Sequence, residues 1–248
     1  MFNDKIKNID VVITSTCRES IERTFESFLE KVKFSGMFRF FINIDVLNEE
    51  YLPRLKKVLQ YYNVIVVNDE VPQERSHSAH ASAINKLFDQ ITSKYYFHLE
   101  DDWIFRREID LDSLLNLMES HPNIHHIRFN KEPLKDETWL YYLPIEDHRS
   151  YLKVKNEECI VDGIALTRVH VWSFNPSLAR STIAKSFLPL PLDNSNPEKI
   201  ICSRYELNYP EKGTYALGHI GEKAFTKDIG RNQLVEFVRK IKKNILMQ

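Results

Sequence analysis

Over residues 9–101, runs of β-branched and aromatic residues alternate with amphipathic stretches of helical length, and this alternation limits the fold class before any motif is considered. The run 9-IDVVITST-16 is apolar at almost every position, as a strand covered on both faces must be. The segment 20-SIERTFESFLEKVKF-34 places Ile21, Phe25, Phe28, Leu29 and Val32 on one helical face, with Ser20 in the N-cap position. A strand over 38–46, a helix opened by Pro53 over 53–62 and a strand over 64–68 continue the series. The helix 79-AHASAINKLFDQI-91 then leads to the strand 95-YYFHLED-101. Such spacing implies βαβ units and an α/β fold with a mostly parallel sheet flanked by helices. Ligands of such sheets bind beyond the carboxyl ends of the strands. Thr14 to Arg18, Asp45, Asn68 and Glu100 to Asp102 all fall there.

The pattern loosens afterwards. Asp110 is placed to cap a helix over 111–121, a strand is expected over 125–129, and residues 131–158 read as a long irregular excursion. Strand-like segments return over 159–174. Asn175-Pro176 and Asn196-Pro197 each carry the signature of a capped helix start, opening PSLARSTIAKSF and PEKIICSRYEL. The expected organisation is one domain over residues 1–232 followed by a basic amphipathic helix over 233–248. That helix carries Leu234, Phe237, Val238, Ile241 and Ile245 at helical spacing. It could pack on its own domain or lie peripherally on an anionic membrane.

Composition removes several function classes. A net charge of −1 argues against general nucleic-acid binding. No apolar run has the length of a membrane span, and the start MFNDKIKNID lacks the apolar segment of a secretory signal. Cys17, Cys159 and Cys202 show neither zinc-ligand spacing nor a disulfide framework, so a cytoplasmic setting is expected. Of six glycines only Gly36 precedes Gly163, which excludes a P-loop and a G-x-G-x-x-G turn from the first half. Phosphates bound there must be met by side chains and a metal ion.

That requirement gives meaning to 95-YYFHLEDDWIF-105, where a buried strand runs into three consecutive carboxylates. Like charges at a strand end repel and resist desolvation unless a cation sits among them. With three preceding βα units, the motif 99-LEDDW-103 resembles the acidic D-x-D-type motif of GT-A-fold glycosyltransferases, closest to the family 2 type, and the resemblance spans about residues 8–232.

The resemblance implies a nucleotide-sugar donor, a UDP-sugar in the first instance, and Mn2+ or Mg2+ to neutralise the departing diphosphate. It implies that Asp102 binds the metal, with Glu100 and Asp101 contacting ribose, sugar or metal-bound water. His219, between two glycines in 216-ALGHIGEKAF-225, corresponds to a second metal ligand. Thr14, Thr16 and Arg18 begin the nucleotide pocket, Asp45 matches the acid for base or ribose, and Arg75 and His80 fall where the nucleotide is contacted. The chain departs from the family in following Asp45 with Val46-Leu47-Asn48 instead of a second acid and a Gly-Ser turn.

Inverting transfer to an acceptor hydroxyl also needs a general base. Glu198 takes that place in 196-NPEKIICSRYE-206, with Arg204 following and Asp193 and Glu206 as alternatives. The family's Glu-Asp pair is here Pro197-Glu198. Trp103 or Trp172 could stack on an acceptor of unknown identity. The Q-x-x-R-W motif of processive synthases is missing, so a single sugar is expected to move. Two other readings remain open: a nucleotidyltransferase, although TSTCRES is not a Gly-rich basic loop, and a non-catalytic nucleotide- or carbohydrate-binding module.

Overall fold

The computed structural model describes residues 6–45, 49–68, 76–141, 151–209 and 213–230. Arg75 and the helix expected over 233–248 lie outside the described residues. A nine-stranded sheet organises the chain. Its strands are β1 (Asn8–Ser15), β2 (Met37–Ile44), β3 (Ile65–Val66), β4 (Tyr95–Glu100) and β5 (His126–Arg128), then β6 (Glu157–Val161), β7 (Ile164–Arg168), β8 (Ser177–Arg180) and β9 (Thr214–Leu217). Their spatial order is β6-β7-β9-β5-β8-β4-β1-β2-β3. The first four strands in the chain are parallel neighbours. Strand β8 runs antiparallel between β4 and β5, β9 lies parallel to β5, and β7 and β6 finish that edge antiparallel.

Strand β1 shows why the sheet needs helices on both faces. Ile9, Val11 and Ile13 enter one core and Val12 the other, all fully buried. Helices α1 (Ile21–Lys31), α2 (Leu52–Tyr61) and α4 (Leu111–Ser120) supply the first core through Phe25, Phe28, Leu55, Val58 and Leu114. Helices α3 (His77–Gln90), α5 (Ser181–Lys185) and α6 (Pro197–Asn208) supply the second through Ile84, Leu87, Ala184 and Ile201. Burial of side chains this size contributes about 1.5–3 kcal/mol each. The sheet is thereby fixed, with its carboxyl ends aligned.

Three expectations need correction. Ser20 occupies the N-cap of α1 without capping it: its hydroxyl donates to the Asp101 carbonyl at 2.8 Å, tying the helix start to the acidic turn. Asn175-Pro176 does not open a helix. Ser177–Arg180 is a strand, because insertion between β4 and β5 buries Leu178 in one core and Ala179 in the other, and only Ser181–Lys185 is helical. This is tertiary packing overriding a local signature. Residues 131–158 are not wholly irregular, since Glu137–Tyr141 pairs antiparallel with Tyr151–Lys155. Asn196 behaves as expected and accepts from the Lys199 amide at 3.2 Å. No helix among the described residues is long and apolar enough to cross a membrane.

Candidate active site

A cleft of about 850 Å3 opens at the carboxyl ends of β1, β2 and β4, walled on its far side by the start of α6. Its acids are Asp45, Glu100, Asp101, Asp102, Glu198 and Asp228. Among the described residues only Arg18 and Lys131 bring permanent positive charge to its lining. Thr14, Thr16 and His80 line it too, so most of the residues singled out by sequence converge. An anionic ligand entering a cleft with this balance needs a further cation beside it.

The acidic turn is built asymmetrically. Asp101 is 2 % exposed and faces inward. Its Oδ2 accepts from Ser15 Oγ at 2.7 Å, the Thr16 amide at 2.9 Å and the Arg18 amide at 3.3 Å. Cys17, at a φ of 52°, makes the turn that aims both amides at one carboxylate. Burial raises the Asp101 pKa, against the opposing pull of Arg18 and these hydrogen bonds. Asp101 therefore shapes the loop after β1. Asp102, 7 % exposed, faces the cleft. The Arg18 guanidinium pairs with its Oδ2, whereas its Oδ1 is buried without a hydrogen-bond partner. Glu100 accepts from Trp103 Nε1 at 3.1 Å. Burial pushes its carboxyl up to about 6, with Glu198 and Asp101 adding to the rise and the indole N–H opposing it.

Asp228 and Lys131 were not found by sequence reasoning. Thr226–Asp228 pairs antiparallel with Trp103–Phe105, setting Asp228 opposite Trp103, and the Ile229 amide donates to the Asp102 carbonyl at 2.8 Å. Lys131 Nζ donates to Asp228 Oδ2 at 3.1 Å and lies 5.5 Å above the Trp103 ring. Gly230 covers this corner so closely that a Cβ there would collide with Arg18 and Asp102. A lone Asp in a short polar strand carries no periodic signal, and only the pairing with Trp103 reveals its place.

Other expected residues go elsewhere. His219 does not line the cleft: its side chain is exposed, its amide donates to Glu222 at 2.8 Å, and its ring faces Glu158 at 3.6 Å. The glycines that flank it serve this turn, with Gly218 at φ 96° and Gly221 at φ 76°. Arg204 braces the carbonyls of Phe187 and Pro189. Asp193 accepts from the Ser195 amide at 3.0 Å, and neither it nor Glu206 lines the cleft. Trp172 is a core residue stacked on His126 at 4.5 Å.

At the far wall Glu198 is half-buried in the first turn of α6. Its Oε1 accepts from the Phe174 amide at 3.2 Å. Phe174 in turn stacks on His98, 5.0 Å between centroids. Burial holds His98 down to about 3, with His80 and His126 adding to the shift, and both its ring nitrogens lack hydrogen-bond partners.

A divalent ion fits the Asp102 corner. The orphaned Oδ1, the neighbouring Asp228 and the charge imbalance offer hard oxygen ligands of the kind Mg2+ and Mn2+ take. Among the described residues no three His, Cys, Asp or Glu side chains form a ready-made cage. Ions that draw their remaining ligands from phosphates and water do not need one.

No protein family matches the sequence, and no curated protein matches it. Solved structures do match in shape. GalNAc-T7 with UDP, GalNAc and Mn2+ aligns at a TM-score of 0.61 and 10% identity, over 92% of this chain and 44% of that one. TarS 1–349 from S. aureus in complex with UDP gives 0.56 and 14%, over 89% and 60%. The mannosyltransferase PcManGT from Pyrobaculum calidifontis, with GDP-Man and Mn2+, gives 0.52 and 11%, over 85% and 54%. This chain has a GT-A-type fold. It spans less than two thirds of the length of each of these proteins. The GT-A arrangement accounts for the parallel half of the sheet.

Proposed function

We propose that this chain is a metal-dependent, inverting glycosyltransferase of the family 2 type that moves one sugar from a nucleotide-sugar, a UDP-sugar in the first instance, to an acceptor hydroxyl. The observation that carries the reading is the Asp102 carboxylate, buried at a strand end with one oxygen unpartnered, in the same cleft as Glu198. The GT-A shape shared with proteins crystallised with UDP, UDP-GlcNAc or GDP-Man supports it.

In this proposal Thr14, Thr16, Asp45 and His80 hold the nucleoside, with Arg75 contributing from outside the described residues. Asp102 and Asp228 hold Mn2+ or Mg2+, taking the place expected for His219. When bound, that ion neutralises negative charge developing on the leaving diphosphate. Arg18 and Lys131 supply fixed positive charge on the same side, and Trp103 walls the sugar. Glu198 Oε accepts the acceptor's proton as the acceptor oxygen bonds to the anomeric carbon. The bond from that carbon to the diphosphate oxygen breaks, and its electron pair leaves with the nucleoside diphosphate. Attack opposite the leaving group inverts the anomeric centre.

Turnover tests the reading. Nucleoside diphosphate release from UDP-, GDP- and CDP-linked sugars, with candidate glycan, lipid-linked and small-molecule acceptors, is expected for one donor, to stop in EDTA and to be lost in Glu198→Gln. Pyrophosphate release from a nucleoside triphosphate would instead show a nucleotidyltransferase. Metal-dependent nucleotide binding without turnover would show a binding module.

A further inference from the structure

Arg128 has no role in the chemistry above, yet it lies where the charge of Glu198 reaches it. It is the last residue of β5, two positions after His126, and shares the sheet face on which His126 packs against Trp172. Glu198 and Cys202, four apart on one face of α6, are the groups whose charges reach it. The acids that feel Arg18 are instead Asp101 and Glu100. Arg18 lines the cleft, whereas Arg128, outside the lining, stands in the sheet row of Ser177 and His98, where Phe174 stacks on His98 and donates to Glu198.

Arg128 is half-buried, and its Nε is fully buried with no hydrogen-bond partner. Among the described residues its guanidinium makes no hydrogen bond and no ion pair, Glu198 included. Its sheet neighbours are the small residues Ser177 on one side and Ala216 on the other. Burial lowers its pKa to about 10, so it stays charged at neutral pH. A half-buried guanidinium with five donors and no acceptor is costly unless a ligand completes it. A carboxylate or a phosphate matches its fork.

We propose that Arg128 binds an anionic group of the acceptor, a carboxylate or phosphate close to the hydroxyl that Glu198 deprotonates. This rests on the reading of the Glu198 end as the acceptor side. It makes the acceptor an acidic sugar or a phosphate-bearing polyol unit rather than a neutral glycan.

The test uses two matched pairs of probes, methyl β-D-glucuronide against methyl β-D-glucoside and glycerol 3-phosphate against glycerol. Each is titrated by NMR into the full chain, alone and with Mn2+ plus whichever of UDP, GDP or CDP binds. The expected result is at least a tenfold preference for the charged member of one pair. That preference is expected to be lost in Arg128→Gln and partly kept in Arg128→Lys, with nucleotide affinity unchanged. The pair that responds tells carboxylate from phosphate. Equal binding of charged and neutral probes, or a preference that survives Arg128→Gln, would overturn the proposal. Failure of every nucleotide to bind would instead count against the proposed function, and the probe preference would still be read on the free chain. Arg128→Met guards against a structural role: its melting temperature is expected to equal or exceed that of the parent, and a clear drop would show that the fold already holds the guanidinium.

Discussion

The two ends of the cleft are built in opposite ways. At the Asp102 end the protein ties its own polar groups to one another, Asp102 Oδ1 excepted: Asp101 takes three hydrogen bonds from the loop after β1, Arg18 bridges both aspartates, and Lys131 is tethered by Asp228. Around the Glu198 end Glu198 is held by one backbone amide and, behind the lining, His98 by stacking and Arg128 by no hydrogen bond. The difference teaches where the chain is preorganised. In the proposed reaction the donor meets a site already tied together except where the cation would sit, whereas Arg128 lacks a partner until a substrate arrives.

The largest expected effect comes from Glu198→Gln. It should reduce turnover about 10^3-fold, within the range for loss of a general base, while nucleotide affinity stays within about twofold. Turnover kinetics with parallel calorimetry would check this. A loss of both together would place Glu198 at the donor end and break the comparison.

Acid should weaken the fold through two buried histidines. His98 and His126 are held by burial at about 3, below the ordinary value of 6.5. The unfolded chain takes up protons as pH falls through 6.5 while the folded one does not. Their contribution is therefore complete above that value and drains away toward pH 3. At pH 5 the loss is about 2 kcal/mol for each ring. Urea unfolding between pH 7 and 5 measures it, and His98→Phe should remove about half of the slope.

Asp101→Ala strands the Ser15 hydroxyl and two backbone amides. A loss of about 3 kcal/mol of stability is expected, together with weaker nucleotide binding. If stability falls and affinity does not, the loop after β1 is no part of the donor site.

The smallest effect has the opposite sign. Glu100 is raised from 4.5 to about 6, so its charge costs stability above pH 6 and that cost disappears as the pH falls toward 4.5. Glu100→Gln should stabilise the fold at pH 8 by about 2 kcal/mol, with no gain at pH 4.5. Thermal melts at the two pH values separate this from a packing change.

The same asymmetry governs what could be read in the sequence. The Asp102 end was legible because its residues close buried strands, and hydrophobic runs locate strand ends: Thr14, Asp45 and Glu100 to Asp102 follow directly from 9–16, 38–46 and 95–101. Glu198 was legible through the Asn196-Pro197 cap. Asp228, Lys131 and Arg128 were not, since each sits in or beside a strand of three residues positioned by pairing with a distant partner. The Asn175-Pro176 signature misled for the same reason: the gap between β4 and β5 needed a strand, and burial of Leu178 outweighed the local preference. His219 was attractive for its flanking glycines, which belong to a surface turn.

The central claim is that a cation and a diphosphate meet at Asp102. Calorimetric titration of UDP, GDP and CDP, with and without Mn2+, into the parent chain and Asp102→Ala tests it most directly. The account predicts that one nucleotide binds, at least tenfold more tightly with Mn2+, and that this metal dependence vanishes in Asp102→Ala. Binding that ignores both Mn2+ and Asp102 would contradict it and leave the three carboxylates after β4 as a solvated turn.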